Sequence, residues 1–189
     1  MIEQIFTQAR SGKIYTDAEM TQADIRALYE IAKWAPSESN TCPMRLVFAH
    51  SHEAKARLRP GILPGNQPKF DSAPVTAIVA FDTEFDQHLA TLAPHLAESS
   101  PFADMPTAKR SEMIQRSAHL QAGMFIAAAR AQGWTAGPMA GIDRDAIDQA
   151  FFTESSWRSS FVIMLGVADE SEFYPRGARL SFEQACQIL

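Results

Sequence analysis

The sequence predicts an α+β fold in which helices cover both faces of a central mixed sheet. Two runs, VTAIVAF and FVIMLGV, are apolar without interruption, which is typical of strands covered on both faces. Helical patterns and short strands follow one another in no regular order, and helix outweighs strand. The longest helical pattern contains AGMFIAAA, whose small residues would let another helix pack closely against it.

The first half of the chain carries several start and stop signals. Apolar residues at helical spacing predict a short first helix that ends near Arg10. Thr21 and Asp24 resemble a capping box for a second helix, which Pro36 should end because proline donates no backbone hydrogen bond. A further helix is predicted from near Ser51. Strands are predicted over residues 46–49, 75–81 and 161–167.

The second half is dominated by one long helix. The segment Pro94–Pro106 carries three prolines and is predicted to be a loop, and the long helix begins after it. Gly133 is the predicted C-cap, Asp143 the N-cap of the next helix, and Ser181 opens a capping box for the last one. The residues expected to face the core from the long helix are Ile114, Ala118, Ala122, Phe125, Ile126 and Ala129.

Size and composition narrow the class of protein. At 189 residues the chain can bury one substantial core, so residues 1–189 are expected to form a single domain. A formal net charge of −5 with scattered basic residues argues against a nucleic-acid partner. The two cysteines match no metal or redox spacing and suit a reducing cytosol. With no signal peptide and no stretch approaching the ~20 apolar residues of a membrane span, a soluble cytoplasmic protein is expected.

The loop WAPSESNTCP is longer and more polar than its position requires, yet the common catalytic motifs are missing from the sequence. The sequence has no dinucleotide fingerprint, no Walker loop and no serine-hydrolase elbow, and its histidines do not suggest a metal site. Cys42 has no evident base beside it, so a structural role is favoured over a nucleophilic one. Chemistry carried by a bound cofactor would explain a donor-rich loop without a protein-based catalytic group.

Five short stretches stand at predicted helix or strand boundaries: ARSGKIY, WAPSESNTCP, GNQPK, GPMAG and YPRGARLSFEQA. In this order they resemble the signature elements of the FMN-dependent nitroreductases, over almost the whole chain from Arg10 to Ala185. The combination of KWAPSESN, APVTAIVAFD, GPMAGID and AFFTES is most similar to the malonic semialdehyde reductases, which reduce that aldehyde to 3-hydroxypropionate.

The resemblance implies a three-layer α-β-α fold and a homodimer with two FMN sites at its interface, each built from both subunits. It also implies that NADH or NADPH reduces the flavin, leaves, and is followed by the oxidant in the same place. Flavin N5 would carry the chemistry, and no side chain is identified as the catalytic acid.

The resemblance also assigns residues to the FMN phosphate. Arginine's planar fork suits phosphate, and Arg10 and Arg179 fall at the matching positions. The hydroxyl of Ser11 would add a donor, and Arg176 would assist.

The flavin ring has its own expected contacts. Lys69, with Asn66 beside it, would stabilise the negative charge that develops near N1 and the C2 carbonyl. Lys13 is a further candidate contact, because it belongs to the same ARSGKIY stretch as Arg10. Ala140 and Gly141 would present backbone N–H groups to N5. The residues expected to reach the partner subunit's flavin are Pro36, Ser37, Glu38 and Asn40.

Substrate contacts are predicted more loosely. A carboxylate substrate would want another cation, for which Arg45 and Arg116 are candidates, and the segment Pro94–Pro106 with His95 and Phe102 is a candidate lid. Two other functions stay open at this point. The same flavoenzyme could act on nitroaromatics or quinones, or the chain could be a flavin-binding protein without turnover.

Overall fold

A computed structural model describes residues 2–99 and 101–189 and confirms the α+β class. The strands are β1 (Met44–Ala49), β2 (Val75–Asp82), β3 (Thr135–Met139) and β4 (Trp157–Gly166). The helices are α1 (Ile2–Ile5), α2 (Gln22–Ala32), α3 (His52–Leu58), α4 (Gln67–Ser72), α5 (Leu89–Leu92), α6 (Pro94–Ala97), α7 (Thr107–Ala131), α8 (Arg144–Phe151) and α9 (Phe182–Ala185).

The four strands form one sheet in the order β1-β2-β4-β3, and each neighbouring pair is antiparallel. The expected mixed sheet is therefore wrong for the residues that the structure describes. Burial on both faces makes a strand uniformly apolar, but it does not fix the direction of the neighbouring strand.

Helices cover both faces of this sheet, as predicted. On one face, Ile78 and Met164 pack with Leu58 of α3, Phe70 of α4 and Ile147 of α8. We call this face A. On the other, face B, the sheet packs against α2 and α7, and its core residues include Leu28, Val79, Phe125 and Ile163.

Several local signals proved accurate. The capping box of Thr21 and Asp24 forms, Asp143 caps α8, and Ser181 with Gln184 forms the box that opens α9. Gly133 follows the C-cap Gln132 in the left-handed region, at φ 89°. Of the six residues expected to face the core from α7, five are buried and Ile126 is partly buried.

Other boundaries differ from the prediction. The first helix ends at Ile5 rather than near Arg10, and α2 ends at Ala32 rather than at Pro36. The GPMAG stretch is not only a turn, because its first three residues belong to β3. Pro138 is tolerated there because β3 is an edge strand. The predicted loop over 94–106 contains the short helix α6, and Ser100 lies outside the described residues.

Candidate functional site

Asn66, Lys69, Gly137 and Gly141 come together on face A, at the β3 edge of the sheet. The Asn66 side chain donates a hydrogen bond of 3.1 Å to the Gly141 carbonyl oxygen. A Cβ at Gly141 would lie 2.1 Å from that same amide nitrogen, so a larger residue there would displace the Asn66 side chain from this bond. The ammonium of Lys69 lies against Gly137, 3.3 Å from where a Cβ would be. We call these four residues, with Tyr15 below them, the Lys69 cluster.

Lys69 carries a charge that the described part of the chain does not compensate. It is half-buried at the start of α4, and burial alone lowers the pKa of its ammonium. Among residues 2–99 and 101–189, no carboxylate forms an ion pair with it. A half-buried cation without a counter-ion is suited to receive an anionic or electron-rich ligand.

The sequence analysis did not single out Tyr15, although it ends the ARSGKIY stretch. Its ring is buried, and its hydroxyl donates a hydrogen bond of 3.2 Å to the Met164 carbonyl. A Cβ at Gly137 would lie 2.7 Å from this hydroxyl. Only the register of β3 against β4 reveals this proximity, because it sets Gly137 opposite Met164.

A second group of cations lies where the N-terminal segment meets residues 172–176. The Arg10 guanidinium donates to the Tyr174 carbonyl and stacks over the Phe173 ring, 5.2 Å from its centroid. Arg176 donates back to the Ala9 carbonyl at 3.2 Å. These two bonds hold the segments that carry Arg10 and Arg176 side by side.

Lys13 belongs to this second group, but its charge is already paired. Its ammonium lies 2.8 Å from the Glu172 carboxylate and over the Tyr174 ring. The hydrogen bond to Glu172 raises the pKa of Lys13, with the charge of that carboxylate adding to it. Ser11 is exposed, and the Arg179 guanidinium donates to its own loop, at the carbonyls of Gly177 and Ala178.

The loop that follows α2 is held in an unusual backbone conformation. Ser39, Asn40 and Cys42 all have positive φ, at 52°, 54° and 41°, a region that side chains other than glycine seldom adopt. Hydrogen bonds fix it: the backbone N–H of Cys42 donates to the Ser37 hydroxyl at 2.9 Å. Asn40 donates to the Leu92 carbonyl at 2.6 Å. Pro36 and Glu38 are exposed at the start of this loop.

This loop and the Lys69 cluster lie on different sides of the molecule. The loop leads into β1, and the backbone of Glu38 donates to Ser117 of α7, which packs on face B. The Lys69 cluster lies on face A beside β3, and three strand spacings, about 14 Å, separate β1 from β3. The chain therefore does not bring these two sets of predicted contacts together around one ligand.

Both arginines proposed for a substrate carboxylate have carboxylate partners of their own. Arg45 donates to Asp82 at 2.7 Å, and Asp82 also accepts from Ser156 and from the backbone of Glu84. Burial would raise the pKa of the Asp82 carboxyl, but these three donors together hold it below the ordinary value. Arg116 pairs with Glu38 at 2.5 Å and with a carboxylate on its own helix.

The two proposed lid residues have different surroundings. Phe102 is buried and meets Phe85 edge-on, with ring centroids 5.2 Å apart, so its contacts are those of a core residue. His95 is exposed on α6. Beside the loop, a cavity of about 730 Å³ is lined by Asn40, Cys42 and Arg45, together with Trp34, His88, Trp157 and eight further residues. Trp34 begins the WAPSESNTCP stretch, but no motif signalled His88 or Trp157, because contacts set by the fold bring them to this cavity.

Comparison with known proteins gives a consistent result. The model of the Nitroreductase family matches residues 7–167. A protein of Rhodopseudomonas palustris with the provisional name NADH dehydrogenase/NAD(P)H nitroreductase is 43% identical over 188 residues, covering 100% of this chain and 95% of that one.

Solved structures share the fold. A protein of Exiguobacterium sibiricum, described provisionally as a nitroreductase and crystallised with FMN, superposes with a TM-score of 0.87 at 22% identity, covering 100% of this chain and 96% of the other. A nitroreductase family protein of Streptococcus pneumoniae gives a TM-score of 0.88 at 22% identity over the full length of both chains. Within residues 2–99 and 101–189, no helix combines the length and apolarity of a membrane span.

Proposed function

This chain belongs to the nitroreductase family, and on that premise we propose that it is an FMN-dependent NAD(P)H oxidoreductase. The observation that carries the proposal is the uncompensated, half-buried ammonium of Lys69, which lies 3.3 Å from the position that a Cβ would take at Gly137. The chemistry that FMN supplies when bound is hydride transfer from NADH or NADPH to a second substrate.

The donors of this chain fit such a cofactor. Lys69 and Asn66 would hold the electron-rich edge of the ring, with the backbone of Ala140 and Gly141 alongside. Arg10 and Arg176 would hold the phosphate, aided by Ser11 and Arg179, since guanidinium groups bind phosphate through two parallel hydrogen bonds. Lys13 could join them only by giving up its ion pair with Glu172.

We also propose that the active form is a homodimer in which two chains build each site. The support is geometric: the loop with Pro36, Ser37, Glu38 and Asn40 lies at the β1 edge on face B, while the Lys69 cluster lies at the β3 edge on face A. If both sets contact one flavin, the loop must come from a second subunit. Residues 1–189 would act as one domain in this dimer, in the cytoplasm.

The proposed substrate is malonic semialdehyde, reduced to 3-hydroxypropionate. This assignment relies on the similarity of KWAPSESN, GPMAGID and AFFTES to the enzymes that reduce that aldehyde. Nitroaromatics or quinones are the second candidates, because in the proposed enzyme the flavin carries out the chemistry and the relative from Rhodopseudomonas palustris is named for nitro reduction.

The first test is the visible absorption spectrum of the freshly purified protein. Bands at about 370 and 450 nm would identify an oxidised flavin. Oxidation of NADH or NADPH by this holoprotein with an added acceptor would then separate an enzyme from a flavin-binding protein without turnover. A colourless protein that also fails to bind added FMN would refute the proposal.

The substrate assignment needs a separate comparison. Values of kcat/KM for malonic semialdehyde and for a nitroaromatic, measured with the same reductant, give the preference directly. The aldehyde should be preferred, and a clear preference for the nitroaromatic would move the function to the second candidate.

The shared site can be tested by mixing two inactive variants. Asn40→Ala and Lys69→Met damage the two halves of each proposed site. In a mixed dimer, one site carries both defects and the other carries neither, so unfolding and refolding the two variants together should restore activity. Sites built within a single chain would all stay damaged, and the mixture would be as inactive as its parents.

A further inference from the structure

The ring of Tyr15 occupies a slot whose walls include three glycines. A Cβ would lie 2.9 Å from the ring at Gly12 and 3.1 Å from it at Gly166, and at Gly137 it would lie 2.7 Å from the hydroxyl. The slot lies within the face A core and leaves the ring 4% exposed. Tyr15 therefore has little room to move, and its hydroxyl is held at a defined point beneath Gly137.

The backbone of Tyr15 is also tied to α4. Its N–H donates to the Ser72 hydroxyl at 3.2 Å, and that hydroxyl donates to the carbonyl of Lys69 at 3.0 Å. The hydroxyl of Tyr15 and the ammonium of Lys69 lie 2.7 and 3.3 Å from one point, the Cβ position of Gly137, so the two groups are near neighbours. Tyr15 is thus linked to the Lys69 backbone through Ser72, and its hydroxyl lies near the Lys69 ammonium.

The orientation of the Tyr15 hydroxyl has an electrostatic consequence. Since its proton is donated to the Met164 carbonyl, the oxygen keeps its lone pairs for the side away from that bond. A neutral oxygen with free lone pairs can stabilise a nearby cation. Unlike a carboxylate, it does not cancel the charge of that cation. Tyr15 is a poor proton donor, because burial raises the pKa of its phenol well above the ordinary range.

From this geometry we propose that Tyr15, in its glycine-lined slot, is a positioning residue that holds the Lys69 ammonium beside Gly137 and leaves its charge available to the cofactor. The inference rests on the proposed function, since it assumes that Lys69 contacts the flavin. It adds two residues, Tyr15 and Gly137, that act through Lys69 rather than on the cofactor directly.

The experiment is a double-mutant cycle on the affinity and midpoint potential of bound FMN, with Tyr15→Phe, Lys69→Met and the double variant. Tyr15→Phe keeps the ring in its slot, so the fold should survive. We expect the Kd for FMN to rise about three- to tenfold, less than for the loss of a direct hydrogen bond to a charged group, because Tyr15 acts through Lys69. The midpoint potential should move in the same direction as in Lys69→Met. In the Lys69→Met background, adding Tyr15→Phe should change neither quantity further.

The outcomes separate the two proposals. If Lys69→Met leaves FMN affinity and potential unchanged, the proposed function loses its main support. If Lys69→Met has its effect but Tyr15→Phe has none, or the two effects add independently, only the positioning role fails.

Gly137→Ala and its control Gly65→Ala guard against a merely structural effect. Gly137→Ala should reproduce the shift in potential by displacing the ammonium, whereas Gly65→Ala, where nothing lies within 4 Å of the new methyl, should not. A potential shift in Gly65→Ala equal to that of Tyr15→Phe would overturn the inference.

Discussion

Lys13 and Lys69 are both expected near the flavin, yet their surroundings differ. Lys13 is 40% exposed and bonded to Glu172, which raises the pKa of its ammonium. Lys69 is half-buried, and burial lowers the pKa of its ammonium with no ion-pair partner in the described chain. A protein normally provides a partner for a buried charge. The contrast shows that the Lys13 charge is paired within the folded chain, whereas no ion pair among the described residues compensates the Lys69 charge.

If this distinction holds, removing a paired cation should affect stability, and removing the unpaired cation should affect binding. Arg45 is the most buried paired cation among those considered for the site, and its partner Asp82 is only 4% exposed. The predictions below test the distinction from the largest expected effect to the smallest.

Arg45→Met should lower the free energy of unfolding by about 3–5 kcal/mol, because Asp82 would remain as a buried charge without its cation. Urea denaturation of the wild type and the variant measures the difference. Arg116→Met, in an exposed pair, is the control and should leave the unfolding midpoint nearly unchanged. Equal losses in both variants would show that burial does not separate these pairs.

Arg10→Ala should weaken FMN binding by about 1.5–3 kcal/mol, the range for a hydrogen bond to a charged group. Fluorescence titration of the flavin-free protein measures this. Arg26→Ala, an exposed arginine on α2, has the same change of charge and should bind FMN normally. Unchanged affinity in Arg10→Ala would remove Arg10 from the site.

Lys69→Met should have effects of opposite sign on binding and on stability. FMN affinity should fall, while the flavin-free protein should gain about 0.5 kcal/mol, a small amount because solvent screens a half-exposed charge. Thermal unfolding without FMN checks the gain. A loss of stability in the flavin-free variant would mean that Lys69 has a partner in the folded chain.

The lowered pKa of Lys69 also fixes the sign of a pH effect. Between its folded pKa and the ordinary value of 10.5, the unfolded chain binds more protons, so this residue makes stability rise with pH there. The stability difference between Lys69→Met and the wild type should therefore shrink as the pH approaches 10.5. Urea denaturation of both proteins at several alkaline pH values measures this. A stability difference that stays constant with pH would show that the pKa of Lys69 is not lowered.

Glu172→Gln should have the smallest effect. It releases Lys13 for the FMN phosphate, so affinity should rise, by no more than about threefold for so exposed a pair. Titrations at low and high salt test this, since screening should reduce the gain. A decrease in affinity would assign Glu172 a supporting role in the site.

Signals that act over a few residues could be read from the sequence. The caps at Thr21, Asp143 and Ser181 depend on neighbours three positions away, and all three form. Pairings set by the fold could not be read in this way. Glu172 lies 159 positions from Lys13, and nothing in either neighbourhood announces their ion pair. Tyr15 was missed for the same reason, because only the pairing of β3 with β4 sets Gly137 above it.

The resemblance to the family assigned residues to the flavin but carried no information about their partners within the chain. It assigned Asn66, Lys69 and Gly141 to the flavin ring, and the structure places the Asn66 side chain in a hydrogen bond with the Gly141 carbonyl. The cofactor roles of these residues stay predictions. The resemblance could not predict that Arg45 and Arg116 have their own carboxylates, because those partners lie on other elements of the fold.

The left-handed residues of the loop after α2 have a further consequence for assembly. Asn40 and Cys42 are held by hydrogen bonds within a single chain, so the loop would have its shape before the second subunit of the proposed homodimer arrives. Ordering a loop on association costs conformational entropy, and a loop that is already ordered avoids that cost. In the proposed homodimer, each subunit would then bring a preformed loop to its partner's site. Ordering that loop would reduce the association free energy only slightly.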